Sequence, residues 1–158
     1  ILNKNKFDII NLTENVFEML EFTAKKKKIK LTVNKDKGLE TKVIADKEKI
    51  EQVLTNLIDN SIKYGKDYGT TEIVIQSLNE DKIIVRVTDN GIGFKKENYT
   101  RIFERFFRVD RSGSRSAGGS GLGLAIVKHI IDAHDEKIYV ESEFSVGSEF
   151  SFTLEKSK

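Results

Sequence analysis

The 158-residue sequence contains no cysteine and no proline, and its only histidines are His129 and His134. Without cysteine the chain has no disulfide framework, no thiolate zinc site and no cysteine nucleophile. Two histidines five residues apart do not supply a histidine-rich metal site. Average usage would give about eight prolines at this length. Their absence coincides with a composition that is biased toward lysine.

The charge of the chain is nearly balanced, because 27 Lys and Arg residues oppose 25 Asp and Glu residues. A protein that binds nucleic acid by neutralising phosphates would be more basic, so we expect no nucleic-acid partner. The apolar runs are too short to span a membrane, and the N-terminus lacks both Met and a signal-peptide pattern. We therefore expect one cytoplasmic domain over residues 1–158, as a fragment of a longer protein, with membrane anchoring of that parent protein left open.

Hydrophobic periodicity predicts a mixture of strands and helices. Strands are expected at 7–10, 29–33, 42–45, 71–77, 82–88, 137–142 and 149–154, and helices at about 12–26, 46–64, 96–107 and 124–133. The lysine run at 25–28 is typical of a solvated helix end, with a nucleic-acid or membrane patch as the alternative. The hairpins indicate an α+β fold, a two-layer sandwich of a mixed, mostly antiparallel sheet with helices on one face.

Polar side chains follow one border of the apolar stripe on the predicted helix 46–64. Asn56 and Asn60 lie one turn apart there, and Lys63 and Tyr64 follow one turn later. Asparagine is a poor helix former, whereas its amide oxygen suits Mg²⁺, lysine suits phosphate and an aromatic ring can pack on a base. Hydrogen bonding of both asparagines to neighbouring loops remains the alternative at this point.

Two glycine-rich loops interrupt the second half of the chain. Residues 89–93 (DNGIG) follow an apolar strand, and residues 118–124 (GGSGLGL) open a helix whose free N–H groups favour phosphate. The second loop fits neither the Rossmann nor the Walker pattern. Six of the thirteen residues at 111–123 are glycine or alanine, a composition typical of a mobile loop over a ligand or of an inert linker.

Five of the six arginines fall within residues 101–115. The phenylalanines of the segment 101–110 (RIFERFFRVD) can anchor it while Arg105 and Arg108 point elsewhere. The planar guanidinium group suits multidentate contacts with phosphate. Ion pairing with the acidic residues of the same segment is the alternative.

Taken in order, these segments resemble the ATP-binding catalytic domain of bacterial sensor histidine kinases, in the superfamily of gyrase, Hsp90 and MutL with its Bergerat-type fold. The resemblance covers essentially the whole chain from Phe7. The matching segments are 56–64 (NLIDNSIKY, N box), 89–93 (G1), 102–108 (IFERFFR, F box), 119–124 (GSGLGL, G2) and 147–150 (GSEF, G3).

The resemblance implies a role for each polar residue of the N box. Asn60 would supply the protein ligand to Mg²⁺, with Asn56 beside it. Lys63 would reach a phosphate of ATP, and Tyr64 would pack against adenine. Asn60 and Lys63, together with Arg105 and Arg108, would form the catalytic set.

The resemblance also implies an adenine pocket and a phosphate loop. Asp89 would accept a hydrogen bond from the adenine amino group, Gly91 and Gly93 would shape the loop, with Gly93 making room for the base, and Ser148 would lie nearby. Residues 109–120 would form the ATP lid. The phosphates would meet Arg105, Arg108, Gly119, Gly121, Leu122, Gly123 and Leu124.

One position separates the kinases from the ATPases of the superfamily. The ATPases carry a glutamate that activates water where Asn56 stands here, and an amide cannot accept a proton. The resemblance therefore implies slow hydrolysis and transfer of the γ-phosphoryl group to a histidine on a separate dimerisation domain. His129 and His134 lack the setting of a phosphoacceptor, so this fragment alone would not autophosphorylate. The alternatives are an ATPase, or a nucleotide-sensing module without phosphotransfer.

The partners implied by the resemblance are the dimerisation domain of the same protein and the receiver domain of a response regulator. We expect the fragment to be monomeric and the parent kinase to be a homodimer. Two positions depart from the family pattern, because Asp135 and Ser145 stand where glycine is frequent. These departures question the two local turns rather than the site.

Overall fold

The computed structural model describes residues 1–99, 101–104 and 123–158. Across these ranges, three α-helices accompany one sheet, and none of them is long and apolar enough to cross a bilayer. The helices are α1 (Ile9–Lys26), α2 (Lys47–Lys63) and α3 (Gly123–Ala133). The strands are β1 (Asn5–Asp8), β2 (Lys30–Lys35), β3 (Lys42–Ala45), β4 (Thr70–Ser77), β5 (Lys82–Asp89), β6 (Ile138–Glu143) and β7 (Gly147–Lys156).

The sheet is mixed and mostly antiparallel, as the sequence predicts. Its strand order is β1-β3-β7-β5-β4-β2, and β6 pairs with the first part of β7. The pair β2–β4 is parallel, whereas the other described pairs are antiparallel. The long strands β5 and β7 lie side by side at the centre, and their register places Asp89 opposite Ser148.

The core lies between the sheet and the helices. Alternate residues of β5 face the helices and are fully buried, as are their cross-strand partners on β7. The apolar stripe of α2 packs against this face and is also fully buried. This packing confirms the predicted two-layer sandwich. The buried residues that carry it are Ile50, Val53, Leu54, Leu57, Ile58, Ile83, Val85, Val87, Phe150, Phe152 and Leu154.

The start of α2 is fixed by a buried polar contact with α3. Asp46 is the N-cap residue and accepts a hydrogen bond from the Lys49 N–H at 3.3 Å. Its own N–H donates to Nε2 of the buried His134 at 3.1 Å, and Nδ1 of His134 donates to the Ile130 carbonyl. The hydrogen bond from the Asn3 N–H lowers the pKa of Asp46 more than burial raises it. His134 therefore has a structural role.

Two local predictions were wrong. The first strand covers 5–8 rather than 7–10, because the Asp8 carboxylate accepts the Ile10 N–H at 2.9 Å and starts α1 at Ile9. The helix predicted at 96–107 is a single 3₁₀ turn, Lys96–Asn98, in its described part. There the Tyr99 N–H donates three residues back, to the Lys96 carbonyl at 3.0 Å. The Tyr99 hydroxyl donates to the Ser142 carbonyl at 2.6 Å and ties this turn to β6.

The two turns in which glycine is frequent in the family both form. Asp135 adopts a φ of 56° and Ser145 a φ of 71°, both in the left-handed region. The chain therefore keeps the backbone conformation of glycine with an ordinary side chain. Such a conformation costs a non-glycine residue about 1–2 kcal/mol.

Replacing the exposed Ser145 by glycine is expected to raise the free energy of unfolding by about 0.5–1 kcal/mol, since relief of strain exceeds the entropy that glycine adds to the unfolded chain. Urea unfolding of the purified chain measures this difference. Ser145→Ala is the matched control and should be nearly neutral, because alanine keeps the left-handed penalty. An equal gain for both variants would contradict conformational strain as the cause.

Candidate functional site

The polar border of α2 is half-buried beside the start of α3. Nδ2 of Asn56 donates to the Gly123 carbonyl at 3.3 Å, which leaves the Asn56 amide oxygen available as an acceptor. The Asn60 amide makes no hydrogen bond to any residue in the described ranges. A half-buried amide without a protein partner is suited to a ligand or a metal ion.

Lys63 forms an ion pair with Asp59 one turn earlier, with Nζ and Oδ2 3.0 Å apart. Both side chains are about two-thirds buried, since 33% of Lys63 and 31% of Asp59 is exposed. Asp59 was not among the predicted site residues, although its spacing from Lys63 is that of a helical ion pair. A phosphate that reaches Lys63 must therefore share this ammonium with Asp59.

The N-terminus of α3 meets the polar border of α2. Gly123 is the first residue of α3, and a Cβ atom there would lie 3.9 Å from Cγ of Asn56. The first N–H groups of a helix lack intrahelical acceptors and carry partial positive charge. Gly123 and the half-buried Leu124 thus bring these donors to the same place as Asn56.

Asp89 ends β5 with a carboxylate surrounded by hydrogen-bond donors. It accepts the Gly91 N–H at 2.9 Å, and the Ser148 N–H and the Ser61 hydroxyl also stabilise its ionised form. Burial has the larger effect, so the pKa of Asp89 is raised above its usual value. A buried acceptor at a strand end is suited to a ligand that brings its own N–H donor.

Ser61 links Asp89 to the neighbouring strand. Its hydroxyl lies 2.6 Å from the hydroxyl of Thr71, which stands opposite Asp89 in the β4–β5 register, and both residues are buried. An ionised carboxylate only accepts, so Ser61 donates to Asp89 and accepts from Thr71. The signal for Ser61 in the sequence is a hydroxyl among the aliphatic residues of the buried face of α2.

Gly91 and Gly93 permit close packing of protein backbone. A Cβ atom at Gly91 would lie 2.1 Å from the Tyr64 carbonyl, and one at Gly93 would lie 2.1 Å from the Glu143 carbonyl. The Ile92 N–H between them donates to the Tyr64 carbonyl at 3.1 Å. The loop is thus fixed between the end of α2 and the β6–β7 turn. Backbone of Glu143 and Gly147 thus lies on the side of Gly93 where a side chain would stand, so only glycine fits there.

Ser148 lies in a hydroxyl network at the start of β7. Its Oγ is 2.8 Å from Oγ of Ser142, which also accepts the Phe94 N–H at 2.8 Å. A cavity of about 970 Å³ opens beside Asp89 and Ser148 and continues to Tyr99. None of the four polar residues of the α2 border lines this cavity.

Part of the predicted site lies outside the described residues. This part comprises Arg105, Arg108, Gly119, Gly121, Leu122 and the lid 109–120. The beginning of the F box is described and anchored, because Ile102 is buried and Phe103 packs edge-on against Phe150 with ring centroids 6.1 Å apart. Arg101 pairs with Glu104 at 3.1 Å on the surface.

Comparison with known proteins agrees with this arrangement. Residues 45–158 match the family described as histidine kinase-, DNA gyrase B-, and HSP90-like ATPase. The sensor histidine kinase WalK of Bacillus subtilis (strain 168) is 34% identical over 154 residues, which cover 96% of this chain and 25% of WalK. The adaptive-response sensory kinase SasA of Synechocystis sp. is 38% identical over 146 residues, which cover 92% of this chain and 37% of SasA.

Solved structures give the same result. The catalytic domain of histidine kinase ThkA superposes with a TM-score of 0.82 at 30% identity, covering 98% of this chain and 97% of that domain. The chain thus spans a quarter to about a third of the kinases WalK and SasA, and nearly all of a kinase catalytic domain. The match over residues 45–158, supported by these relatives, shows that the chain belongs to the family of histidine kinase-, DNA gyrase B- and HSP90-like ATPases.

Proposed function

We propose that the chain binds Mg-ATP and presents the γ-phosphoryl group to a histidine on a separate dimerisation domain of a two-component sensor histidine kinase. The observation that carries this proposal is the Asn60 amide, which has no partner among the described residues. It lies one turn from Lys63 and one turn from Asn56, and Asn56 contacts the start of α3. An unpartnered metal ligand, an ammonium and a helix N-terminus together suit a triphosphate.

The adenine half of the site would be formed by Asp89, Tyr64 and Ser148. The ionised Asp89 carboxylate can accept one more hydrogen bond, from the amino group of adenine. Guanine has a carbonyl oxygen at that position and would face the carboxylate with an acceptor. The geometry therefore favours ATP over GTP. A further relative, the histidine kinase ShkA, has been solved in complex with AMPPNP, with a TM-score of 0.86 and 28% identity.

The residues present fit a magnesium ion that is shared with the nucleotide. The described ranges contain no group of three or more His, Cys, Asp or Glu side chains that would hold a metal by itself. Mg²⁺ accepts one or two protein oxygens and completes its coordination with phosphates and water. Asn60 would supply the protein oxygen, and the ion would neutralise charge on the phosphates.

The chain's own residues would bind, orient and neutralise rather than activate water. Asn56 is an amide already bonded to Gly123, so no general base stands at this position of α2. Lys63, Arg105, Arg108 and the N–H groups of residues 119–124 would hold the phosphates in place. The alternatives, an ATPase or a nucleotide sensor without transfer, share the binding site and differ in the fate of the bound γ-phosphoryl group.

A phosphate-release assay separates these alternatives. With Mg-ATP the chain alone should release phosphate more slowly than about one turnover per minute, because no base activates water. Adding the histidine-bearing dimerisation domain of the same protein should then yield a phosphohistidine. Release at several turnovers per minute would favour an ATPase. Slow release without transfer to the added domain would favour a nucleotide sensor.

The cellular setting follows from the proposed activity. The parent kinase would be a homodimer and the catalytic fragment a monomer. The chain would bind ATP, and the parent kinase would bind the receiver domain of a response regulator, in the cytoplasm. A response regulator partner is supported by histidine kinase ThkA, which has been solved in complex with the response regulator protein TrrA. The superposition with ThkA in that complex has a TM-score of 0.78 at 28% identity.

A further inference from the structure

The side chain of Lys27 caps a helix other than its own. Its Nζ donates to the carbonyl oxygens of Ile62 at 3.0 Å, Lys63 at 2.6 Å and Gly65 at 3.2 Å. An ammonium group has three donor hydrogens, so these bonds use its whole donor capacity. The lysine run at 25–28 is therefore not simply a solvated helix end, because one of its members lies half-buried at the end of α2.

These contacts complete the hydrogen bonding of the last turn of α2. The final carbonyl groups of a helix have no intrahelical donors and carry partial negative charge. The Tyr64 N–H bonds to the Asn60 carbonyl, and the Tyr64 carbonyl accepts the Ile92 N–H, both at 3.1 Å. Lys27 supplies donors to the carbonyls on either side of Tyr64 and places a cation at the negative end of the helix.

The turn that Lys27 holds is the one from which Lys63 and Tyr64 project. The same turn is joined to the Asp89 loop by Ile92, so its position also determines how that loop lies against α2. The Lys27 carbonyl in addition accepts the Tyr68 N–H at 2.8 Å, which fixes the chain leaving α2. Lys27 thus contacts backbone on both sides of the segment that carries the two side chains.

We propose that Lys27 is a positioning residue for the nucleotide, acting through the carbonyls of the last turn of α2 on Lys63 and Tyr64. This role rests on the proposed function. Loss of the ammonium would remove a donor from three carbonyls, of which only that of Ile62 keeps another among the described residues, the Gly65 N–H at 3.2 Å. The turn could then shift, and a small displacement of binding groups is costly. Lys27→Met should therefore weaken binding of Mg-AMPPNP about tenfold.

The test compares four variants by calorimetric titration with Mg-AMPPNP. Lys27→Arg should restore most of the affinity, because a guanidinium also offers several donors. Lys26→Met is the matched neighbour, a lysine that lies over the Phe22 ring. Lys82→Met breaks the 2.6 Å pair with Glu136 on another side of the fold and controls for loss of stability. Both control variants should bind as the wild type does.

Amide hydrogen exchange without nucleotide gives a second readout. Lys27→Met should speed exchange at Tyr64, Gly65 and Ile92 about tenfold, with little change in β5. Two outcomes would overturn the positioning role alone. In the first, the wild type binds Mg-AMPPNP and Lys27→Met binds it with the same affinity. In the second, Lys27→Met and Lys82→Met lose affinity equally. A wild-type chain that bound no nucleotide would overturn the proposed function, and the role of Lys27 with it, whatever the exchange rates.

Discussion

Replacement of Asn60 by alanine is expected to lower the affinity for Mg-ATP by about 100-fold, the largest effect we expect from any single side chain. The Asn60 side chain makes no hydrogen bond within the described structure, so its removal leaves no protein group unpaired. Alanine is also a better helix former than asparagine. The fold should therefore be kept or slightly stabilised while the ligand to magnesium is lost.

Titrations with and without magnesium isolate this effect. With Mg²⁺ chelated, Asn60→Ala and the wild type should bind ATP equally weakly, since only the metal contact has been removed. Asn60→Asp should bind more weakly than wild type even without Mg²⁺, because a second carboxylate beside Asp59 repels the triphosphate. Gln52→Ala, at an exposed position one turn before Asn56 on the same helix, is the control and should bind normally. An unchanged Mg-ATP titration for Asn60→Ala would remove Asn60 from the metal site.

Replacement of Asp89 by asparagine is expected to abolish the preference for ATP over GTP. An amide can present an NH₂ group to the guanine oxygen, whereas it is a weaker acceptor for the adenine amino group. The expected loss of ATP affinity is about 30-fold, within the range for a buried charged hydrogen bond. Competition between ATP and GTP for both proteins measures the change. An equal preference for ATP over GTP before and after substitution would show that Asp89 does not discriminate adenine from guanine.

The raised pKa of Asp89 adds a pH dependence with a definite sign. Burial favours the protonated acid, so ATP affinity of the wild type should fall as pH decreases through this raised pKa, because the acceptor is lost. The unfolded chain has the lower pKa near 3.8, so Asp89 disfavours folding at neutral pH and this cost disappears as pH falls. Asp89→Asn should lack both dependences. Titration and urea unfolding between pH 4 and 8 measure them.

The elements of this fold were predictable where local pattern and tertiary contact agree. The apolar stripe of α2 follows from hydrophobic periodicity, and the structure contains it. The helix predicted at 96–107 is a 3₁₀ turn in its described part, where Tyr99 bonds to Ser142, 43 residues away, and no local pattern predicts such a contact. The first strand was misplaced because Asp8 caps a helix immediately after it.

In the site, too, residues within one element were predictable and contacts between elements were not. Asn56, Asn60, Lys63 and Tyr64 were identifiable because one helix carries them at turn spacing. Ser61 and Lys27 were not predicted because their roles depend on partners in other elements, namely Thr71 and the last carbonyls of α2. The motifs could identify the glycines of the Asp89 loop but not the backbone that packs against them.

Calorimetric titration of the purified chain with AMPPNP, with and without Mg²⁺, tests the central claim most directly. The proposed site predicts saturable binding at one site per chain, which weakens at least about tenfold when Mg²⁺ is chelated and is not reproduced by a nonhydrolysable GTP analogue. Absence of saturable binding, or equal binding of the two nucleotides regardless of magnesium, would contradict an ATP site built from α2 and the Asp89 loop.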